Sequence, residues 1–111
     1  MKTIRILSES AAIGMRLRDI LYQAGYTAEK VSDLSALSGE QHCGILIIYA
    51  KTRISDVMQN ASDSGCPVIL LLNPDYYAMY LDRARHAGIA LLLMPVEPYK
   101  LLECVRDAAI S

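Results

Sequence analysis

Short apolar runs alternate with amphipathic stretches along the whole chain, and this alternation of a continuous pattern with a 3.6-residue period predicts strands and helices in turn. Residues 3–7 form the first run. Ser8-Glu9-Ser10 follows, then Ile13, Leu17, Ile20, Leu21 and Ala24 at helical spacing, with Gly25 as the stop. Residues 27–31 predict a second, shorter strand, and Ser32-Asp33 can cap a weak helix through Leu34 and Leu37 that ends near Gly39. Ile45-Leu46-Ile47-Ile48-Tyr49 is too continuously apolar for one face of an exposed sheet and reads as a strand buried on both sides. Ile54, Val57, Met58 and Ala61 give the next helical face, closed by Gly65, and Pro67-Val68-Ile69-Leu70-Leu71-Leu72 repeats the buried-strand composition. Asn73-Pro74-Asp75 starts a helix that runs to Ala87-Gly88. Leu91-Leu92-Leu93 is the fifth strand, broken by Met94-Pro95, and Pro98 opens a last helix with Leu101, Leu102, Val105 and Ala109 inside.

Five β/α units result. Strands that alternate with helices are parallel, their crossovers are right-handed, and apolar middle strands need helices on both faces, so the expected fold is a doubly wound α/β sheet. In such a sheet function sits beyond the carboxyl ends of the strands. That places Ser8, Glu9, Tyr49, Leu72, Asn73, Met94 and Pro95 together as the informative positions.

Length and composition narrow the field. At 111 residues, 53% hydrophobic and 21% charged, the chain fits a single domain, residues 1–111, with one continuous core. Eleven Lys+Arg against twelve Asp+Glu leave a net charge of −1 with no basic run, which argues against direct nucleic-acid or membrane contact. No apolar run approaches the roughly 20 residues a membrane-spanning helix needs, and the start Met1-Lys2-Thr3-Ile4-Arg5 lacks a secretory block, so a cytoplasmic location is expected. Cys43, Cys66 and Cys104 have neither zinc-site nor CxxC spacing and read as small buried hydrophobes. His42 beside Cys43 is not a nucleophile–base pair, because adjacent residues of an extended chain point to opposite faces. Residues 8–14 lack the glycine spacing of a phosphate cradle and put a carboxylate where an anion would sit. No cofactor and no metal are expected, and the domain is not expected to be an enzyme.

Four landmarks in order give the chain a likeness to a known family. They are Leu21-Tyr22-Gln23-Ala24-Gly25-Tyr26 at the end of the first helix, Cys66-Pro67-Val68-Ile69 opening the fourth strand, Arg85-His86-Ala87-Gly88 closing a helix, and Leu92-Leu93-Met94-Pro95. In these it resembles the receiver domain of two-component response regulators. The resemblance implies a flavodoxin-like five-stranded parallel sheet of order 2-1-3-4-5. It also implies a pocket of two acidic residues for Mg²⁺, an acceptor aspartate, a Thr or Ser, and a lysine before proline, whose charges offset those of the phosphoryl oxygens. Carried over residue by residue, the acidic pair falls on Ser8 and Glu9, the acceptor on Tyr49, the hydroxyl residue on Leu72 and the lysine on Met94, before Pro95. The aromatic switch residue falls on Leu91. Only Glu9 keeps the chemistry, so the resemblance is to a degenerate pseudo-receiver.

The family meets partners through its fourth helix, fifth strand and fifth helix. In this chain those elements carry Tyr76, Met79, Tyr80, Arg83 and Tyr99, in a sequence with seven tyrosines and no Phe or Trp. With Tyr77, Leu81 and Ala84 facing the sheet, helical spacing turns Tyr76, Met79, Tyr80 and Arg83 outward, as a surface for a second copy or a partner protein. The expected function is a non-enzymatic regulatory module, the N-terminal domain of a longer regulator, controlling a transcriptional output by association. Two alternatives remain open: a flavodoxin-like small-molecule sensor or enzyme domain with a pocket at Ser8, Glu9 and Tyr49, and a receiver phosphorylated at an unrecognised acceptor.

Overall fold

A computed structural model describes residues 3–32 and 44–110. The elements are β1 (Ile4–Ser8), α1 (Ala11–Gln23), β2 (Ala28–Lys30), β3 (Ile45–Tyr49), α2 (Ile54–Asp63), β4 (Val68–Leu72), α3 (Pro74–His86), β5 (Ala90–Leu93) and α4 (Pro98–Ala109). All five strands are parallel and lie in the order β2-β1-β3-β4-β5. This is the doubly wound α/β architecture the alternation predicts. The weak helix through Leu34 and Leu37, and the His42–Cys43 neighbours, fall outside the described residues.

Every residue of β3 and β4 is buried, because each strand has a helix layer on both faces. Odd positions of β3 and β4, among them Ile47, Tyr49, Ile69 and Leu71, join Ile4 and Ile6 of β1, Leu17 and Leu21 of α1, and Leu101 and Val105 of α4 in one core. Even positions, Leu46, Ile48, Leu70 and Leu72, pack with Ile54, Met58 and Ala61 of α2 and Ala84 of α3 in the other. The sheet thus separates two cores. Its register, Ile4↔Ile45 through Ser8↔Tyr49 and Ile69↔Ala90 through Leu72↔Leu93, brings the carboxyl ends of β1, β3, β4 and β5 to one edge of the domain.

Helix ends follow local chemistry. The Ser10 hydroxyl accepts the Ile13 amide at the start of α1, while Pro74 and Pro98 open α3 and α4 in their first turns. Gly25, at φ +91°, turns the chain out of α1 in the left-handed region. Ala24, expected on the inner stripe, is instead the exposed C-cap, since the helix has already ended at Gln23. Cys66 and Cys104, expected to be buried, are half-buried. Burial, with Asp107 and Glu103 nearby, pushes the Cys104 thiol above its ordinary range and away from the nucleophilic thiolate.

Gly44 meets a different demand. A Cβ there would collide with the Thr3 carbonyl, and the next amide, Ile45 N–H, donates to that same oxygen at 2.7 Å. The close approach of β1 and β3 therefore needs a residue without a side chain. Gly44→Ala should destabilise the domain by about 2 kcal/mol or more in urea unfolding, with an unchanged denaturant slope.

Candidate functional site

The carboxyl ends of the strands are stitched together by backbone. Glu9 N–H donates to the Tyr49 carbonyl at 3.1 Å and Met94 N–H to the Leu72 carbonyl at 2.9 Å. Ser8 closes its own turn, its hydroxyl donating to the Ser10 carbonyl at 2.6 Å and accepting the Ser10 amide at 3.1 Å. The Met94–Pro95 peptide bond is cis.

The backbone at Ser8, Glu9, Tyr49, Leu72, Met94 and Pro95 therefore converges, but the side chains do not share one pocket. Tyr49 is 3% exposed and lies in the α1/α4-side core, with half-buried Met94 packed on the same side. The Tyr49 hydroxyl donates to Asn73 Oδ1 at 3.3 Å. Leu72, fully buried, points to the opposite face among α2 and α3 residues. A cavity of about 50 Å³ beside Ser8 is lined by Ile6, Ser10, Gly14, Lys30 and neighbours, with Glu9 and Tyr49 outside its lining. That is far below the roughly 300 Å³ of a typical cofactor pocket. Among the described residues no three of His, Cys, Asp and Glu come together as a metal site.

Glu9 is engaged elsewhere. Its Oε2 accepts the amides of Lys51 at 2.6 Å and Thr52 at 3.0 Å, and its Oε1 accepts the Thr52 hydroxyl at 2.7 Å. The carboxylate thereby ties the β1 end to the loop between β3 and α2. In that loop Arg53, the N-cap of α2, sits at φ +51°, an uncommon conformation for a side-chain-bearing residue. Partial burial raises the Glu9 pKa, but the bonds from Thr52 and Lys51 and the Lys51 charge outweigh it and hold the carboxyl below its ordinary 4.5.

The tyrosine-rich helix differs in part from expectation. Met79, at 68% exposure, and Arg83 face solvent as helical spacing predicts. Tyr76 and Tyr80 do not. They are half-buried and pack on the α2-side core, because α3 lies against both the sheet and α2 and so covers a wider arc than one stripe. Tyr99 on α4 and Leu93 on β5 are exposed at 62% and 47%. Sequence reasoning missed Thr52 and Lys51 as the partners of Glu9, and the contact of Ser55 with Tyr80 and Arg83. Each joins residues more than 20 positions apart with no local motif between them.

No protein-family model matches the sequence, and no curated protein matches it. Solved structures do. A putative pilus assembly protein, cpaE, from Burkholderia thailandensis is 24% identical with a TM-score of 0.80, covering 100% of both chains. A response regulator receiver protein from Pseudomonas putida is 19% identical over 96% of both chains, with a TM-score of 0.77. Full-length FixJ from B. japonicum is 19% identical with a TM-score of 0.80, and the chain spans 98% of itself but 58% of that protein. At these identities the likeness is one of fold: the chain has the receiver fold.

The Glu9 bonds set a pH dependence. A carboxyl whose folded pKa lies below its unfolded value adds stability that is fully present above about 4.5 and is lost as pH falls through the folded value. Glu9→Gln should lower the melting temperature at pH 7, and the gap to the wild type should close as the pH is taken below 4.5. A gap of constant size from pH 7 to pH 3 would show that the carboxylate charge contributes nothing.

Proposed function

We propose that this domain is a non-enzymatic regulatory module, a pseudo-receiver that acts by association with a second copy or a partner protein and not by aspartyl phosphorylation. The observation that carries this reading is the state of the acceptor position. Tyr49 stands where the receiver fold has its phosphoacceptor, buried with its hydroxyl on Asn73, while Glu9 is bonded to the β3–α2 loop. A phenol of pKa near 10 is a poor acceptor from a phosphohistidine, and one carboxylate is a weak Mg²⁺ site.

The proposed contact face lies on α3, β5 and α4. Met79, Leu93 and Tyr99 are the large apolar side chains exposed on these elements, with half-buried Tyr76 and Tyr80 and exposed Arg83 on the same helix as Met79. Exposed Met and Tyr are the side chains that contribute most contact area at such interfaces. The match to 58% of full-length FixJ supports placement within a longer chain, whose attached output we propose to be transcriptional. The end-to-end match to a putative pilus assembly protein supports a second reading, in which the attached output is an assembly machine. Among the described residues no helix is long and apolar enough to cross a membrane.

Two measurements test the proposal. Incubation with acetyl phosphate and Mg²⁺ followed by intact mass should give no phosphoryl adduct, and an adduct on any residue would overturn the phosphate-independent reading. Light scattering over a concentration series should give a dimer that Met79→Ser/Tyr99→Ser converts to a monomer. A dimer that survives in the double variant removes this face from the interface, and a wild type monomeric at every concentration removes self-association.

A further inference from the structure

Between the start of α2 and the first turns of α3 lies a cleft of about 190 Å³ lined by Lys51, Arg53, Ser55, Asp56, Tyr76 and Tyr80. A second cavity, about 280 Å³, lies further along the same two helices, with Gln59, Ser62 and Arg83 in its lining. Arg83 sits at the divide. Its Nη1 donates to the Ser55 hydroxyl at 2.8 Å and its guanidinium carbon lies 5.9 Å from the centre of the Tyr80 ring. The Ser55 hydroxyl in turn donates to the Tyr80 hydroxyl at 3.4 Å.

Three properties single this place out. Lys51 and Arg53 line the cleft with Asp56, the Glu9 carboxylate is bonded to the lining residue Thr52, and Arg83, which lines the second cavity, reaches the rim of the first through Ser55, on a chain whose net charge is −1. Arg83 is held by a ring and a hydroxyl, so less side-chain freedom is lost when it meets a ligand, and a guanidinium has five N–H donors of which one is engaged by Ser55. The polar groups border an open surface cleft, where an anion could meet donors from both α2 and α3. Glu9, whose carboxylate holds the amides of Lys51 and Thr52, fixes the loop that carries Lys51 and Arg53.

We propose that the α2–α3 cleft binds a small phosphate-bearing molecule, with Arg83 as a forked donor to the phosphate oxygens and Lys51 and Arg53 as flanking charges. The volume suits a phosphate or sugar phosphate and excludes a partner helix about 10 Å across. Tyr49 lies outside both linings, whereas Tyr76, Tyr80 and Arg83 sit on α3, the helix that also carries Met79 of the proposed contact face.

Isothermal titration at constant ionic strength, with inorganic phosphate, ribose 5-phosphate and ribose as probes, tests this. Phosphate or ribose 5-phosphate should bind saturably and ribose should not; binding of inorganic phosphate alone assigns the site to the free anion, and tighter ribose 5-phosphate binding assigns it to an ester. Arg83→Gln should weaken binding by about tenfold or more, Arg83→Lys by less, and Arg85→Gln, on the same helix but outside both linings, by under about twofold. Amide shifts should centre on residues 51–56 and 76–83. The proposal is overturned if neither phosphate probe binds at about 10 mM, if folded Arg83→Gln binds as wild type does, or if the shifts lie elsewhere. Binding of an acidic peptide with no response to either phosphate probe would overturn it equally.

Discussion

The structure depends on a parallel sheet whose central strands have no solvent face. Once β3 and β4 are apolar at every position, burial on one side alone would leave a row of Ile and Leu in water, at about 1.5–3 kcal/mol for each side chain. Two helix layers are obligatory. The crossovers that supply them then fix the strand order, and with it the gathering of Ser8, Tyr49, Leu72 and Met94 at one edge.

That constraint also explains why the strand ends converge in their backbone while their side chains do not share one pocket. Tyr49 and Leu72 lie at the ends of the two most buried strands, and each satisfies its own side of the sheet. An ionisable residue at either place would have to be withdrawn from water unless a cation and hydrogen bonds compensated it. With an aromatic ring and a leucine there, each core extends to the end of its strand, and the Glu9 carboxylate accepts from the amides of Lys51 and Thr52 and from the Thr52 hydroxyl. The β3–α2 loop is ordered from within the chain.

Strands and helices were legible because long apolar runs leave few placements open. Ile45-Leu46-Ile47-Ile48-Tyr49 has to be buried on both faces, and the glycines at 25, 65 and 88 mark where helices end. The positions left at the strand ends were legible too, since topology alone gathers them. What a side chain does there was not. Glu9 meets Thr52 across 43 positions, a contact that exists only after β1 and β3 have paired. Tyr76 and Tyr80 were misplaced because helical spacing knows the sheet and not the neighbouring helix. Ala24 was misplaced because the apolar pattern outlasts the helix by one residue.

β5 is one of the two outer strands, four residues long, with Ala90 and Leu93 exposed and Leu91 and Leu92 half-buried. Its free side presents backbone donors and acceptors with no bulky polar guard, the arrangement from which a sheet can grow by recruiting another chain. Brevity is the protection: four residues span about 13 Å, and the Met94–Pro95 step removes the next amide from the ladder. Lengthening this strand by even one hydrogen-bonding residue turns a blunted border into a template and puts solubility at risk.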